Sequence, residues 1–130
     1  MPVGCLMRSP HGRFPEYHTS ADNLDLVAPS ALAESLAACM AVCEVLENDR
    51  RYVSRNPRCE PQLGKRGLYR LIGGPAGAGV EQMALLWVLN LADGQHSLVD
   101  IAERSGSSFA SIAHAAAVLH AHDLLSEAEE

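Results

Sequence analysis

The side chains that could do chemistry gather in the loop from Ser9 to Asn23. His18 lies four residues before Asp22, and Tyr17 directly precedes the histidine. The apolar run before this loop, Val3 to Met7, is compatible with one buried strand. A histidine on a loop just past a strand is where α/β enzymes place metal ligands or catalytic groups. A lone loop histidine is more often solvated or satisfied within a core, so the residue types alone leave both interpretations open.

Four stretches of the chain form an ordered set: residues 6–8 (Leu-Met-Arg), 14–25 (Phe-Pro-Glu-Tyr-His-Thr-Ser-Ala-Asp-Asn-Leu-Asp), 61–69 (Pro-Gln-Leu-Gly-Lys-Arg-Gly-Leu-Tyr) and 86–91 (Leu-Trp-Val-Leu-Asn-Leu). Together they resemble the C-terminal portion of a bacterial family that joins an aminopeptidase-like domain to a C-terminal winged helix. That family is often found in polysaccharide-biosynthesis settings. The triplet at residues 17–19, with Asp22, resembles the last metal-ligand motif of the two-zinc exopeptidases of clan MH. The resemblance covers nearly the whole chain but only the tail of the family, whose members are several times longer.

The resemblance implies a role for three residues of this loop. His18 matches the terminal histidine that binds one zinc ion through an imidazole nitrogen. Tyr17 matches a position that faces the scissile carbonyl in some relatives, where a phenol would stabilise an oxyanion. Asp22 matches a motif aspartate that orients the loop, caps the next element of the chain, or supports the ligand through a hydrogen bond. A packing aromatic at Tyr17 and a plain cap at Asp22 are the structural alternatives.

The rest of such a metal site has no counterpart in this chain. A two-zinc centre needs several ligands, a bridging carboxylate and a glutamate base, which in the family lie upstream of the strand that Val3 to Met7 represents. We therefore expect zinc in the complete enzyme and none stably bound by this chain, which should be inactive alone as a peptidase. Its expected partner is the remainder of the aminopeptidase domain or another subunit, and a peptide-like substrate is expected only for the complete enzyme.

The fold class expected from these patterns is an α-rich α/β arrangement. The last strand and last helix of an aminopeptidase-like domain (residues 1–72) precede a glycine-rich linker (73–80) and a three-helix, winged-helix-like domain (81–130). The helix of the first domain is predicted from Pro29 to about Glu47, because apolar residues recur along one face for roughly five turns.

The second domain is predicted to hold a helix-turn-helix. Its helices run from Glu81 to Leu91, from Leu98 to Arg104 behind a Ser97 cap, and from Phe109 to about His122 behind Ser107 or Ser108. The third helix occupies the recognition position, and the chain ends too soon after Leu125 for a full wing. The predicted core comprises Leu85, Leu86, Val88, Leu89, Leu98, Ile101, Ala102, Ile112, Val118 and Leu119.

Charge argues against nucleic-acid binding by this second domain. The chain carries ten basic and sixteen acidic residues, a net charge of −6, and residues 80–130 hold one base and eight acids. The third helix has no Lys or Arg to meet phosphates or base edges. A domain-docking or protein-interaction role is the preferred alternative to catalysis, since fold does not fix function.

Composition also bounds the compartment. The four cysteines form no metal-site spacing and are expected to be small buried hydrophobes in a reducing cytoplasm. The N-terminus lacks the pattern of a secretory signal. The most apolar stretch, Met83 to Ala92, is shorter than the roughly 18 residues that a membrane span needs. We expect a cytoplasmic protein with no membrane partner.

Overall fold

The computed structural model describes residues 4–68 and 81–128. The chain divides into two compact units, Met1–Glu44 and Val45–Glu130. The first unit consists of a turn-rich segment and most of helix α1, Pro29–Asn48. The helix starts and ends within a residue of its predicted bounds. Its start at Pro29 is favourable because proline lacks the N–H that the first turn of a helix leaves unpaired.

The strand predicted from Val3 to Met7 is wrong over its described part. Residues 4–7 are exposed and irregular, and Val3 lies outside the described residues. A strand is stable only when a neighbour pairs with its backbone, and among the described residues no strand lies beside this segment.

The second unit carries three helices and three strands. In chain order they are β1 (Arg51–Ser54), a 3-10 turn (Gly64–Arg66), α2 (Gln82–Leu91), β2 (Asp93–Ser97), α3 (Leu98–Ser105), α4 (Phe109–Ala121) and β3 (Leu125–Glu127). All three predicted helices are confirmed. The side chain of Ser97 accepts from the N–H of Asp100, whose carboxylate accepts from the Ser97 N–H in return. Ser108 caps α4 by accepting from the N–H of Ser111 at 3.1 Å.

The three strands form an antiparallel sheet in the order β2-β1-β3. Arg51 pairs with Ser97 of β2, and Tyr52 pairs with Glu127 of β3. The central strand therefore comes from residues that precede all three helices. The sequence placed these residues in the first domain, and the sheet pairing corrects that boundary. The predicted linker at 73–80 lies outside the described residues.

The core of the second unit lies between the helices and the sheet. Its fully buried large side chains are Leu63, Leu85, Ile101, Ile112, Leu119, Leu125 and Val88. Of the predicted core residues, six are buried, and Leu86, Leu89, Ala102 and Val118 are partly buried against them. Leu63 was not foreseen, because it sits in an irregular segment that has no hydrophobic period.

Candidate functional site

The loop that carries His18 is a succession of tight turns. The N–H of Tyr17 donates to the Phe14 carbonyl at 3.3 Å, and the N–H of Thr19 donates to the Glu16 carbonyl at 3.0 Å. His18 between them has a φ of 59°, in the left-handed region that few non-glycine residues adopt. The turns thus hold the imidazole outside any helix or strand, on an exposed part of the loop.

The structure brings Tyr17 and His18 into direct contact. Their ring centroids lie 4.1 Å apart in an edge-to-face arrangement, and Tyr17 also meets Phe14 and His11, each at 5.5 Å. Tyr17 is partly buried by these rings, which fits the packing alternative and leaves its hydroxyl role a prediction. Asp22 is exposed, and among the described residues no hydrogen bond joins it to His18.

The residues present do not make a metal centre. Within the described parts of the chain, no three His, Cys, Asp or Glu side chains come close enough to hold one ion. Zinc sites use four ligands, or three and a water, and a single exposed imidazole cannot supply that set. The loop carries two imidazoles, His11 and His18, and they do not complete such a set with any other described residue.

Helix α1 presents a second feature, an exposed apolar face. Its members alternate at spacings of four and three: Leu32, Leu36, Cys39, Cys43 and Leu46. None of the residues of α1 is buried, and Leu46 is 72% exposed. This spacing is the heptad seam by which one helix packs against another. We call these five residues the α1 seam.

Cysteine burial was predicted wrongly. All four cysteines are free thiols, as expected, but each one is exposed. Cys39 and Cys43 belong to the α1 seam, so the apolar helical pattern was detected correctly while its burial was not.

By length and composition alone, α1 is long and apolar enough to cross a membrane. The sequence pointed instead to Met83–Ala92 as the most apolar stretch. Core helices of soluble proteins share this length and composition. Three carboxylates lie along the helix, at Glu34, Glu44 and Glu47, and carboxylates are costly in a bilayer.

A third feature is the surface of the helix-turn-helix. Ile112, Ala115, Ala116 and Leu119 of α4 face the core. The exposed positions of α4 include Ala110, His114, Ala117 and His120, with no Lys or Arg. The recognition position of the fold thus carries alanines and histidines, with no Lys or Arg.

The revised domain boundary changes the charge of this unit. Residues 50–127 contain eight Lys or Arg and seven Asp or Glu, a net charge of +1, because β1 and the segment after it bring most of the arginines. Residues 1–49 contain two bases and seven acids, a net charge of −5. The one base and eight acids of residues 80–130, a net charge of −7, therefore do not describe the whole domain. Only the lack of Lys and Arg on α4 disfavours DNA binding.

Two carboxylates of the second unit, Asp93 and Asp100, accept hydrogen bonds from backbone N–H groups at a turn and at the start of α3. Backbone N–H groups of Gln95 and His96 hold the pKa of Asp93 at about 2, and the His96 ring nitrogen lies 2.9 Å from the other carboxylate oxygen. The backbone N–H of Ser97 lowers the pKa of Asp100 in the same way. Burial raises the pKa of Tyr52 on β1, and the nearby Glu127 carboxylate adds to that effect. All three pKa shifts arise from hydrogen bonds, burial and charges within the fold of this unit.

Three helices with a tight turn between α3 and α4, closed by a small antiparallel sheet, define a winged helix-turn-helix domain. A family described as winged helix-turn-helix matches residues 50–127, more than half of the chain, and the chain belongs to that family. Residues 1–49 match a domain of unknown function, DUF4910.

Longer proteins contain a similar chain. One from Clostridium acetobutylicum, named as a polysaccharide biosynthesis protein with aminopeptidase-like domain, is 50% identical over 125 residues. The match takes in 96% of this chain and 29% of that protein. A crystal structure of a candidate peptidase from the same organism superposes with a TM-score of 0.76 at 43% identity, over 88% of this chain and 24% of the other. The chain thus spans less than a third of the relatives it matches.

The comparisons bear on the expected resemblance at a coarse level. Two expectations are confirmed: this chain has a winged helix-turn-helix domain, and a similar protein is named for its aminopeptidase-like domain. The clan, the zinc and the roles of Tyr17, His18 and Asp22 stay predictions.

Proposed function

We propose that this chain is the C-terminal part of an aminopeptidase-like zinc hydrolase, in which His18 supplies one zinc ligand. The observation that carries the proposal is the 50% identity to a protein with an aminopeptidase-like domain, of which this chain covers only 29%. The exposed imidazole of His18, held by tight turns, is consistent with a zinc ligand whose fellow ligands come from outside this chain. In the same proposal Tyr17 faces the substrate carbonyl, Asp22 supports the loop, and the substrate is peptide-like.

The α1 seam supports the same proposal. Five apolar or thiol side chains in heptad spacing lie exposed, and burying each of the three leucines among them yields roughly 1.5–3 kcal/mol. We propose that the remainder of the aminopeptidase-like domain covers the seam, with another subunit as the alternative.

Reconstitution tests the proposal. The part of the Clostridium relative outside the match is produced separately, mixed with this chain, and assayed for bound zinc and for cleavage of an aminoacyl anilide. We expect zinc and activity in the mixture and neither in this chain alone. His18→Ala should lower zinc content, whereas His11→Ala, an imidazole of the same loop, should not. Equal zinc content with both variants would contradict the ligand role.

We propose a protein-contact role, and no DNA reading, for the winged helix-turn-helix domain. The exposed face of α4 carries alanines and histidines, which suit contact with another protein surface, and it has no Lys or Arg to meet phosphate. Labelled duplex DNA tests this: retardation that weakens as salt rises would contradict it. We also propose a cytoplasmic location, because four free cysteines suit a reducing compartment.

A further inference from the structure

The turn that carries His18 has a conformation that glycine would adopt more easily. The N–H of Thr19 donates to the Glu16 carbonyl at 3.0 Å, so residues 16–19 form a tight turn with His18 as its third residue. The φ of His18 is 59°, and a positive φ at the third position of a turn favours glycine or asparagine. An imidazole at this position therefore carries a conformational cost that a glycine would avoid.

An earlier turn of the same loop has glycine at the equivalent position. The N–H of Arg13 donates to the Pro10 carbonyl at 3.1 Å, and Gly12, the third residue of that turn, has a φ of 74°. The two turns share the hydrogen bond and the sign of φ, but only the second places a side chain in the left-handed region. Such strain persists where the surrounding structure imposes it, and it is concentrated at functional sites.

The side chain of Thr19 supplies that constraint. Its hydroxyl donates to the Glu16 carbonyl at 2.8 Å and accepts from the N–H of Ala21 at 3.2 Å. The Glu16 carbonyl thus accepts two hydrogen bonds from Thr19, one from the N–H and one from the hydroxyl. These bonds join a residue before His18 to two residues after it, so the backbone is held on both sides of the imidazole.

The ring of Tyr17 limits the imidazole from the side. Its centroid lies 4.1 Å from that of His18, and Phe14 packs against the same phenol ring at 5.5 Å. With its backbone held by hydrogen bonds and a ring against it, His18 has fewer conformations open to it than a histidine of an unconstrained loop. A side chain that is ordered before it binds loses less conformational entropy on binding.

We propose that Thr19 is a positioning residue, whose hydroxyl holds the turn that keeps His18 in the left-handed conformation and presents its imidazole. The inference rests on the proposed function for the identity of the ion that His18 binds. The positioning itself is a property of this chain alone and is tested without metal.

Two substitutions separate the hydroxyl from the rest of the side chain. Thr19→Val removes the hydroxyl and keeps the shape, whereas Thr19→Ser keeps the hydroxyl and loses one methyl group. Ser20→Ala, which removes a neighbouring exposed hydroxyl, is the control. Unchanged NMR signals from the second unit verify that each variant stays folded.

The first measurement is NMR on the full 130-residue chain without metal. A positive φ brings the N–H proton of a residue close to its own Hα, so His18 should give a strong nuclear Overhauser effect between them. We expect Thr19→Val to weaken this effect and to speed the solvent exchange of the Ala21 N–H, which loses its acceptor. Thr19→Ser and Ser20→Ala should leave both quantities as they are in the unsubstituted chain.

The second measurement is zinc affinity, by chelator competition, in the mixture with the rest of the Clostridium relative. Thr19→Val should weaken zinc binding about tenfold, as loss of a group that orients a ligand does, and Thr19→Ser should restore it. His18→Ala in the same assay tests the ligand role itself. Unchanged zinc binding in His18→Ala would contradict the proposed function, while the NMR comparison would still decide whether Thr19 holds the turn.

Three outcomes would overturn the positioning role of Thr19. One is a Thr19→Val chain whose His18 signal and Ala21 exchange match those of the unsubstituted chain. Another is a Thr19→Ser chain that behaves like Thr19→Val, because the methyl group would then matter and the hydroxyl would not. The third is full zinc affinity in Thr19→Val under conditions where His18→Ala abolishes zinc binding.

Discussion

The Asp49 carboxylate accepts a hydrogen bond from the backbone N–H of Val99 at 3.0 Å, across 50 residues of sequence. Its neighbour Arg50 accepts from the N–H of Leu98 through its backbone carbonyl, also at 3.0 Å. The two residues after α1 thus satisfy the first N–H groups of α3, which a helix leaves unpaired. The segment that leads into β1 is therefore built into the helix-turn-helix itself.

Removing this carboxylate should destabilise the second unit. Asp49→Ala is expected to lower its free energy of unfolding by about 1 kcal/mol, through the lost acceptor and the lost interaction with the α3 dipole. Asp49→Asn keeps an acceptor oxygen and should cost less. The measurement is the urea midpoint by circular dichroism. Glu47→Ala, an exposed carboxylate of α1, is the control and should move the midpoint little.

Gly94 on β2 is constrained twice. Its φ is +80°, and a Cβ built there would approach Val53 Cγ2 of β1 to 3.1 Å. Gly94→Ala should cost about 1–2 kcal/mol in backbone strain, plus the displacement of Val53. Gly106→Ala is the matched control, because Gly106 has a φ of +69° and open space around it. A larger drop in melting temperature for Gly106→Ala than for Gly94→Ala would contradict the expected cost of the close contact with Val53.

Stability of the second unit should fall in acid. The folded-state pKa of Asp93 is depressed to about 2 by the N–H groups of Gln95 and His96, so its contribution is present above the unfolded pKa of about 3.9. That contribution is lost as the pH falls from about 5 towards 2. Asp100, whose pKa is lowered by Ser97, acts in the same direction.

Urea midpoints at pH 6 and pH 3 measure this dependence. Asp93→Asn should reduce the difference between the two midpoints, because the variant has no proton to take up at this position. Glu103→Gln, an exposed site on α3, serves as the reference substitution. A pH difference that survives unchanged in Asp93→Asn would show that other groups carry the acid sensitivity.

The helices of this protein could be predicted from sequence because their signals are local. Pro29 at the first turn of α1, Ser97 with Asp100, and Ser108 each mark a helix start within a few residues. Burial was harder to predict. The α1 seam has the same pattern as a buried face, and only its surroundings determine whether it is covered.

The strands were missed because they are short and their partners are distant. Arg51–Ser54 spans four residues, too few to show a period of two, although its Tyr-Val pair between polar residues is a weak strand signal. β2 follows α2 after a single residue, and its Asp-Gly start resembles a plain helix stop. The sheet order arises from pairing across about 40 to 75 residues, which local propensity cannot encode.

The position of β1 makes a last prediction about where the domain begins. A fragment of residues 81–130 contains all three helices but lacks the central strand, so β2 and β3 would have no common partner. It would also lose Leu63, which is fully buried in the core. A fragment of residues 45–130 keeps both. We expect the longer fragment to unfold in one cooperative thermal transition, and the shorter one to show none.

A substitution within the longer fragment tests the contribution of strand β1 to folding without changing the length of the chain. Val53→Pro removes a backbone donor and fixes φ at the middle of β1, which a central strand does not tolerate. Val53→Thr keeps a β-branched residue at the same partly exposed position and should fold. Cooperative unfolding of residues 81–130 alone, with a midpoint equal to that of residues 45–130, would place the start of the domain after β1 and contradict the central position of this strand in the sheet.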